Sequence, residues 1–126
     1  MSTRVVIADD DADIRALVTI AARKAGLDVL ASVADGDAAL EAIRESLPDL
    51  AILDVAMPGL TGVEICRIVR ADDTLASVRI LLVSASADEA SVRAGLESGA
   101  ADYLSKPFSP RDLTARLSAQ FPKGSE

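Results

Sequence analysis

Apolar residues in this chain follow two spacings that take turns. Unbroken runs such as Val5-Val6-Ile7-Ala8, Leu50-Ala51-Ile52-Leu53 and Ile80-Leu81-Leu82-Val83 have the length of buried strands. Between them, apolar residues recur every three or four positions, as on one face of a helix: Ile14, Leu17, Val18 and Ala21, then Ala39, Leu40 and Ile43. The pattern predicts a first strand from Arg4 to Ala8. A helix opens between Asp11 and Asp13, where acids complement the positive end of its dipole, and closes at Gly26, a left-handed cap. Leu27 to Val33 is a weaker second strand, and a helix from Asp35 to Ser46 follows. Pro48-Asp49 punctuates before the third strand, and Met57-Pro58-Gly59 forms the loop after it. Thr61 and Glu64 have capping-box spacing and start a third helix that Asp72-Asp73 closes. The fourth strand runs from Val78 to Val83 and the fourth helix from Ala87 to Glu97; Gly99 then turns into a fifth strand ending at Ser105. Ser109-Pro110 supplies a cap and a first-turn proline for a last helix, Arg111 to Gln120.

Five strand–helix alternations imply an α/β fold with a parallel sheet and right-handed crossovers. The carboxyl ends of such strands share one edge, and ligands bind there where strand order reverses. This chain puts its chemistry at that edge. The first run leads into Asp9-Asp10-Asp11, the third into Asp54, the fourth into Ser84 and the fifth into Lys106-Pro107.

Composition narrows the picture. The 126 residues are half apolar, enough for one domain with one core. Residues 1–122 are expected to form it, with 123–126 a disordered tail. Only Tyr103, Phe108 and Phe121 are aromatic, so the core is aliphatic, as suits parallel strands buried on both faces. A formal charge of −7 argues against direct nucleic-acid binding, which needs Lys and Arg against phosphates, and favours cations. The absence of His removes histidine zinc sites and Ser-His-Asp catalysis, and means the chain carries no phosphohistidine itself. Cys66, three residues from Val63 and Val69, fits a packed hydrophobe. No leader pattern and no apolar run of ~18 residues is present, so a cytoplasmic protein without a membrane partner is expected.

Asp9, Asp10 and Asp54 are the central constellation. Two like charges ~4 Å apart repel by ~4 kcal/mol at an effective dielectric of ~20, so three converging carboxylates resist ionising together. A hard divalent cation resolves the conflict, and magnesium commonly takes one or two carboxylates plus water and a phosphate oxygen. Lys106 adds a second positive charge for a phosphoryl group beside the metal, and a carboxylate can itself be the nucleophile that becomes an aspartyl phosphate. Solvated loop acids would account for Asp10, Asp11 or Asp13 singly. They do not account for Asp54 or Lys106, which interrupt apolar runs.

With Asp9-Asp10, Asp54 followed by Met57-Pro58-Gly59 and Gly62, Ser84-Ala85, and Tyr103-Leu104-Ser105-Lys106-Pro107-Phe108, the chain resembles the receiver domain of two-component response regulators. The resemblance covers nearly the whole chain, in order and at family spacing. It implies a CheY-like, flavodoxin-like (βα)5 three-layer sandwich with strand order 2-1-3-4-5. It further implies that Asp54 accepts a phosphoryl group from a sensor histidine kinase, a histidine phosphotransfer protein or a small donor such as acetyl phosphate. Asp9, Asp10, Asp54 and the backbone carbonyl of Ala56 match the positions that hold Mg2+ (or Mn2+), while Lys106 and Ser84 match those that contact phosphoryl oxygens. Such a domain is a phosphoacceptor that assists its own transfer and is not an enzyme in the turnover sense.

In the family, the hydroxyl residue moves toward the phosphoryl group while an aromatic two strand widths away turns inward; here these are Ser84 and Tyr103. The Lys106-Pro107 bond is expected to be cis. Ser84 stands where Thr is common, and Ala56 and Ser86 replace longer polar side chains that guide water, so slow to moderate phosphate loss is expected. The Ala-Asp-Tyr-Leu and Lys-Pro-Phe-Ser-Pro-Arg-Asp-Leu stretches look most like receivers joined to winged-helix transcription factors. Those often dimerise through helix four, strand five and helix five; Asp102 and Arg116 match that pattern, whereas Val92 and Ala101 do not. A homodimer on phosphorylation is compatible with this.

Two rivals are open at this level. A haloacid-dehalogenase-type phosphatase also uses aspartate, magnesium and lysine, but its Asp-x-Asp spacing and cap insertion are missing. A degenerate receiver would act as a phosphorylation-independent interaction module, yet Asp9, Asp10, Asp54, Ser84 and Lys106 are all present. A Rossmann domain would need a glycine turn where Asp9-Asp10-Asp11 stand.

Overall fold

The computed structural model describes residues 3–120. Strands and helices alternate as β1 (Arg4–Ala8), α1 (Ala12–Lys24), β2 (Asp28–Val33), α2 (Gly36–Ser46), β3 (Leu50–Asp54), α3 (Gly62–Ala71), β4 (Arg79–Ser84), α4 (Glu89–Glu97), β5 (Asp102–Ser105) and α5 (Pro110–Gln120). The five strands are parallel in the order β2-β1-β3-β4-β5. Strand order therefore reverses between β1 and β3, with Ala8 level with Leu53 just before Asp9 and Asp54. The tail expected at 123–126 lies outside the described residues.

Strand alternation sorts the core into two layers. Val6 and Ala8, with Ala51, Leu53, Ile80 and Leu82, face the buried sides of α2 and α3. Val5 and Ile7, with Leu50, Ile52, Leu81 and Val83, face α1 and α5. Both faces of the central strands are thus covered, so β3 is buried at every position. At the edge, β2 is only partly buried, which is why its apolar pattern is weak. Cys66 is fully buried in the first layer, as its spacing predicts, and burial pushes its thiol pKa up.

Each helix N-terminus is held by an oxygen that accepts from otherwise orphaned backbone N–H groups. Asp11 caps α1, Asp35 caps α2, Asp88 caps α4, and Thr61 with Glu64 closes a reciprocal capping box on α3. On α5, the Ser109 hydroxyl accepts from the Asp112 N–H at 3.0 Å. One acid also sits in the first turn of each helix: Asp13, Asp37, Glu64, Glu89 and Asp112.

Boundaries differ from the sequence expectation in small ways. Asp88 as the cap moves the start of α4 to Glu89. Asp72 ends α3 and then caps a one-turn 3-10 helix, Asp73–Leu75, that buries Leu75. Gly26 has the expected left-handed backbone, with φ 86°, but Leu47 adopts φ 48° after α2 without being glycine. Gly36 meets a different demand: a Cβ there would lie 1.8 Å from the Leu60 carbonyl oxygen. Its N–H donates to the Pro58 carbonyl at 2.9 Å, so the start of α2 is seated on the loop that follows β3.

Candidate functional site

Asp9 follows β1 and Asp54 ends β3, and the register that sets Ala8 level with Leu53 brings them side by side. Both are buried, at 2% and 5% exposure, while Asp10 is exposed at the rim. Carboxylate oxygens from Asp9, Asp10 and Asp54 lie within 4.8 Å of one another. Hard oxygen donors at that separation fit one small divalent cation. The constellation expected from sequence is therefore one pocket at the reversal of strand order.

Lys106 enters from β5. Its backbone N–H donates to the Ser84 carbonyl at 2.7 Å, carrying the ladder one residue past the end of β5, and the Lys106-Pro107 bond is cis as expected. The Nζ lies 3.0 Å from Asp9 Oδ2 and 3.3 Å from Asp54 Oδ2. The other oxygens are engaged locally: Asp9 Oδ1 accepts from the Asp11 N–H at 2.9 Å, and Asp54 Oδ1 from the Ala56 N–H at 3.3 Å.

These surroundings pull on ionisation in opposite directions. Burial, then the charge on Asp9, raises the Asp54 pKa to about 6, although Lys106 and the Ala56 N–H favour its ionised form. Burial also works against the Lys106 ammonium, but hydrogen bonding and charge attraction from Asp9 and Asp54 outweigh it and raise the lysine pKa. One ammonium thus leaves the acid pocket short of positive charge, which is the electrostatic condition for a bound cation.

Ser84 closes the far side. It is buried, and its Oγ accepts from the Ser86 N–H at 3.0 Å. Tyr103 sits on β5, the strand next to Ser84's, so the expected separation of two strand widths is corrected to one; Leu82 is its partner across the ladder. The ring is turned inward, 7% exposed, and its hydroxyl donates to the Ser86 carbonyl at 2.7 Å. A cavity of about 160 Å³ lies between this ring and Ser84, Ser86 and Ser91. Two strands therefore reach the same loop: Ser84 through the Ser86 N–H and Tyr103 through the Ser86 carbonyl.

Two contributors, Arg15 and Gly95, escape the sequence pattern, and Gly62, which the motif already contains, gains its physical reason. Arg15 on α1 donates through Nη1 to the Asp9 carbonyl at 2.8 Å and ties the acidic turn to the helix behind it. Gly62 lets α3 approach β3, since a Cβ there would lie 2.7 Å from the Asp54 carbonyl oxygen. Gly95 lies against the Tyr103 ring. Arg15 and Gly95 act through long-range contacts that carry no local signature. Asp102 and Arg116, expected as charges of a dimer face, pair with each other inside the chain at 2.7 Å.

The wider comparisons agree with this geometry. Residues 5–118 match the family model described as the response regulator receiver domain. The chain is 44% identical over 120 residues to the DNA-binding response regulator MtrA of Mycolicibacterium paratuberculosis, covering 95% of this chain and 52% of that protein. It is 44% identical over 115 residues to the transcriptional regulatory protein GltR of Pseudomonas aeruginosa, covering 91% of this chain and 47% of that protein. The chain thus spans about half the length of the curated relatives it matches. Among solved structures, the chemotaxis response regulator CheY4 of Vibrio cholerae superposes with a TM-score of 0.86 at 31% identity, covering 94% and 98% of the two chains. The BeF3-activated DrrB receiver domain gives 0.84 at 31% identity, covering 94% and 97%. The acid pocket, the strand order and these likenesses converge, and the chain belongs to the receiver-domain family of two-component response regulators.

Proposed function

We propose that this receiver accepts a phosphoryl group on Asp54 and transmits its arrival through Ser84 and Tyr103. The observation that carries the reading is the convergence of Asp9, Asp10, Asp54 and Lys106 on one pocket from three separate strands. Asp54 Oδ attacks phosphorus in line while the bond from phosphorus to the donor's nitrogen or oxygen breaks, so the leaving group departs with the bonding pair. Donors of this kind are a phosphohistidine on a sensor kinase or phosphotransfer protein, or acetyl phosphate. The step asks for positioning and charge neutralisation more than covalent help.

Asp9, Asp10, Asp54 and the carbonyl of Ala56 would hold Mg2+ or Mn2+, which supplies positive charge to the phosphoryl oxygens when bound. Lys106 turns its ammonium from the carboxylates to a phosphoryl oxygen. Ser84 rotates to donate its hydroxyl to another and vacates space beside Tyr103, into which the ring, already turned inward, settles further. The domain thereby assists its own transfer. Ala56 and Ser86 offer no long polar side chain to position water, which supports slow to moderate loss of the phosphoryl group.

The partner surface that changes on phosphorylation is α4, β5 and α5, where Leu96 is 44% exposed. A homodimer through this face fits the likeness to regulators whose names describe DNA binding or transcriptional control. The charge of −7 supports a receiver that does not itself touch nucleic acid. No helix among the described residues is long and apolar enough to cross a membrane, and a cytoplasmic site of action fits the expected kinase partners.

Incubation with acetyl phosphate and magnesium, followed by intact mass, tests the reading. The wild-type chain gains one phosphoryl group and Asp54→Ala gains none. Equal uptake by both, or uptake by neither, rejects Asp54 as the acceptor.

A further inference from the structure

Gly95 stands in the last turn of α4, still inside the helix, where propensity favours alanine over glycine by up to about 1 kcal/mol. Its φ is not left-handed, so no turn requires it. What requires it is the ring on the next strand: a Cβ at 95 would lie 2.7 Å from Tyr103 Cδ2, 2.9 Å from Cε2 and 3.2 Å from Leu82 Cδ1. Leu82 is fully buried and cannot retreat.

We infer that Gly95 is a positioning residue for Tyr103: the missing methyl is the space that admits the ring to its inward place against α4. With Cβ added, the group able to move is the ring, by rotation about χ1. Tyr103 lies on an edge strand, so that rotation opens toward solvent without disturbing the sheet. The ring then loses its hydroxyl's bond to the Ser86 carbonyl, and with it the link to the loop that carries Ser84. Placement of the ring is read here in the unphosphorylated chain. Only its consequence for signalling rests on the proposed role of Asp54.

Tyr103 is the one tyrosine and the chain has no tryptophan, so tyrosine fluorescence reports this ring alone. In the full chain without phosphodonor, Gly95→Ala is expected to raise iodide quenching of that fluorescence several-fold, with far-ultraviolet dichroism unchanged. Quenching that is unchanged or lower in a folded variant, as from a ring that stays or moves into the neighbouring cavity, overturns the inference. A second comparison covers a variant that fails to fold. In a Tyr103→Ala background, Gly95→Ala should raise the Tm, or lower it clearly less than with the ring present, because only the 3.2 Å approach to Leu82 Cδ1 is left to oppose helix propensity. The same loss of Tm, or loss of folding, in both backgrounds also overturns it. Gly95 touches neither Asp54 nor Lys106, so uptake from acetyl phosphate should persist in Gly95→Ala. Absence of uptake in the wild type as well would reject the Asp54 reading and leave the quenching result standing.

Discussion

Arg116 reaches back across β5 and sets its Nη1 2.7 Å from Asp102 Oδ1, with the Tyr103 carbonyl accepting a second bond at 3.3 Å. The pair is part-exposed, so its own worth is at most about 1 kcal/mol. Arg116→Ala should therefore shift the urea midpoint only slightly. In beryllofluoride and magnesium, sedimentation velocity should show weaker self-association than the wild type, because a charge on the α4–β5–α5 face is gone. Unaltered self-association removes Arg116 from the interface.

Lys106 is the one cation in contact with both buried carboxylates among the described residues. Lys106→Met leaves the acids without it and takes away the donor proposed for a phosphoryl oxygen. Loss of a single preorganised donor costs about 100-fold or more in rate. Time courses with acetyl phosphate at saturating magnesium should show a fall of that order. A rate within a few-fold of wild type would place Lys106 outside the transfer step.

The raised pKa of Asp54 has a signed consequence for stability. Unfolded, the group ionises near ~4; folded and free of metal, it does so at about 6. Between those values the folded state holds more proton, so this contribution is fully present below the lower one and is lost as pH rises through the upper. Asp54→Asn carries no such penalty. In chelator, the variant should gain on the wild type through this window and exceed it by on the order of 2 kcal/mol at pH 7. Saturating magnesium, which favours the ionised carboxylate, should shrink or reverse the difference. Parallel urea curves across the pH range would contradict the assignment.

Leu47 has φ 48° and is about half exposed, so it gains little from burial while occupying a conformation that L side chains avoid. Leu47→Asn should stabilise the chain by about 0.5–1 kcal/mol, seen as a higher Tm. A lower Tm would show that the Leu47 side chain contributes more than its backbone costs.

Two glycines should respond differently to alanine. Gly26 has open space where a Cβ would stand, so Gly26→Ala pays only for its left-handed backbone, about 1 kcal/mol. At Gly36 the same change drives a methyl into the Leu60 carbonyl and should cost roughly 3 kcal/mol or more. Equal losses in thermal unfolding would undo the steric account.

The sequence made the sheet and most of the pocket legible because both depend on local signals. Val5 to Ala8 and Leu50 to Leu53 announce strands, and Asp9, Asp54 and Lys106 stand where buried runs break. Capping at Thr61 and Glu64 was equally plain. What stayed hidden depends on contacts between distant segments. Arg15 looks like any helix arginine until it meets the Asp9 carbonyl. Gly36 and Gly95 look like ordinary helix glycines until Leu60 and Tyr103 arrive against them. Asp102 and Arg116 carry the right charges, but sequence alone does not say whether they pair within one chain or between two.

All five helices begin beside the pocket with an acid in the first turn, while α1, α2 and α3 finish at the opposite pole with Arg23 and Lys24, Arg44, and Arg70. The basic last turns of these three helices offset acids such as Asp28, Asp49 and Asp73 at that pole, so the pocket end is the more acidic one. A partner bearing a basic patch is turned toward the acidic pole before touching it, and free anionic donors are held off unless a cation accompanies them. Such guidance fades over about 8 Å at physiological ionic strength, so encounter rates at this pole should fall steeply as salt rises.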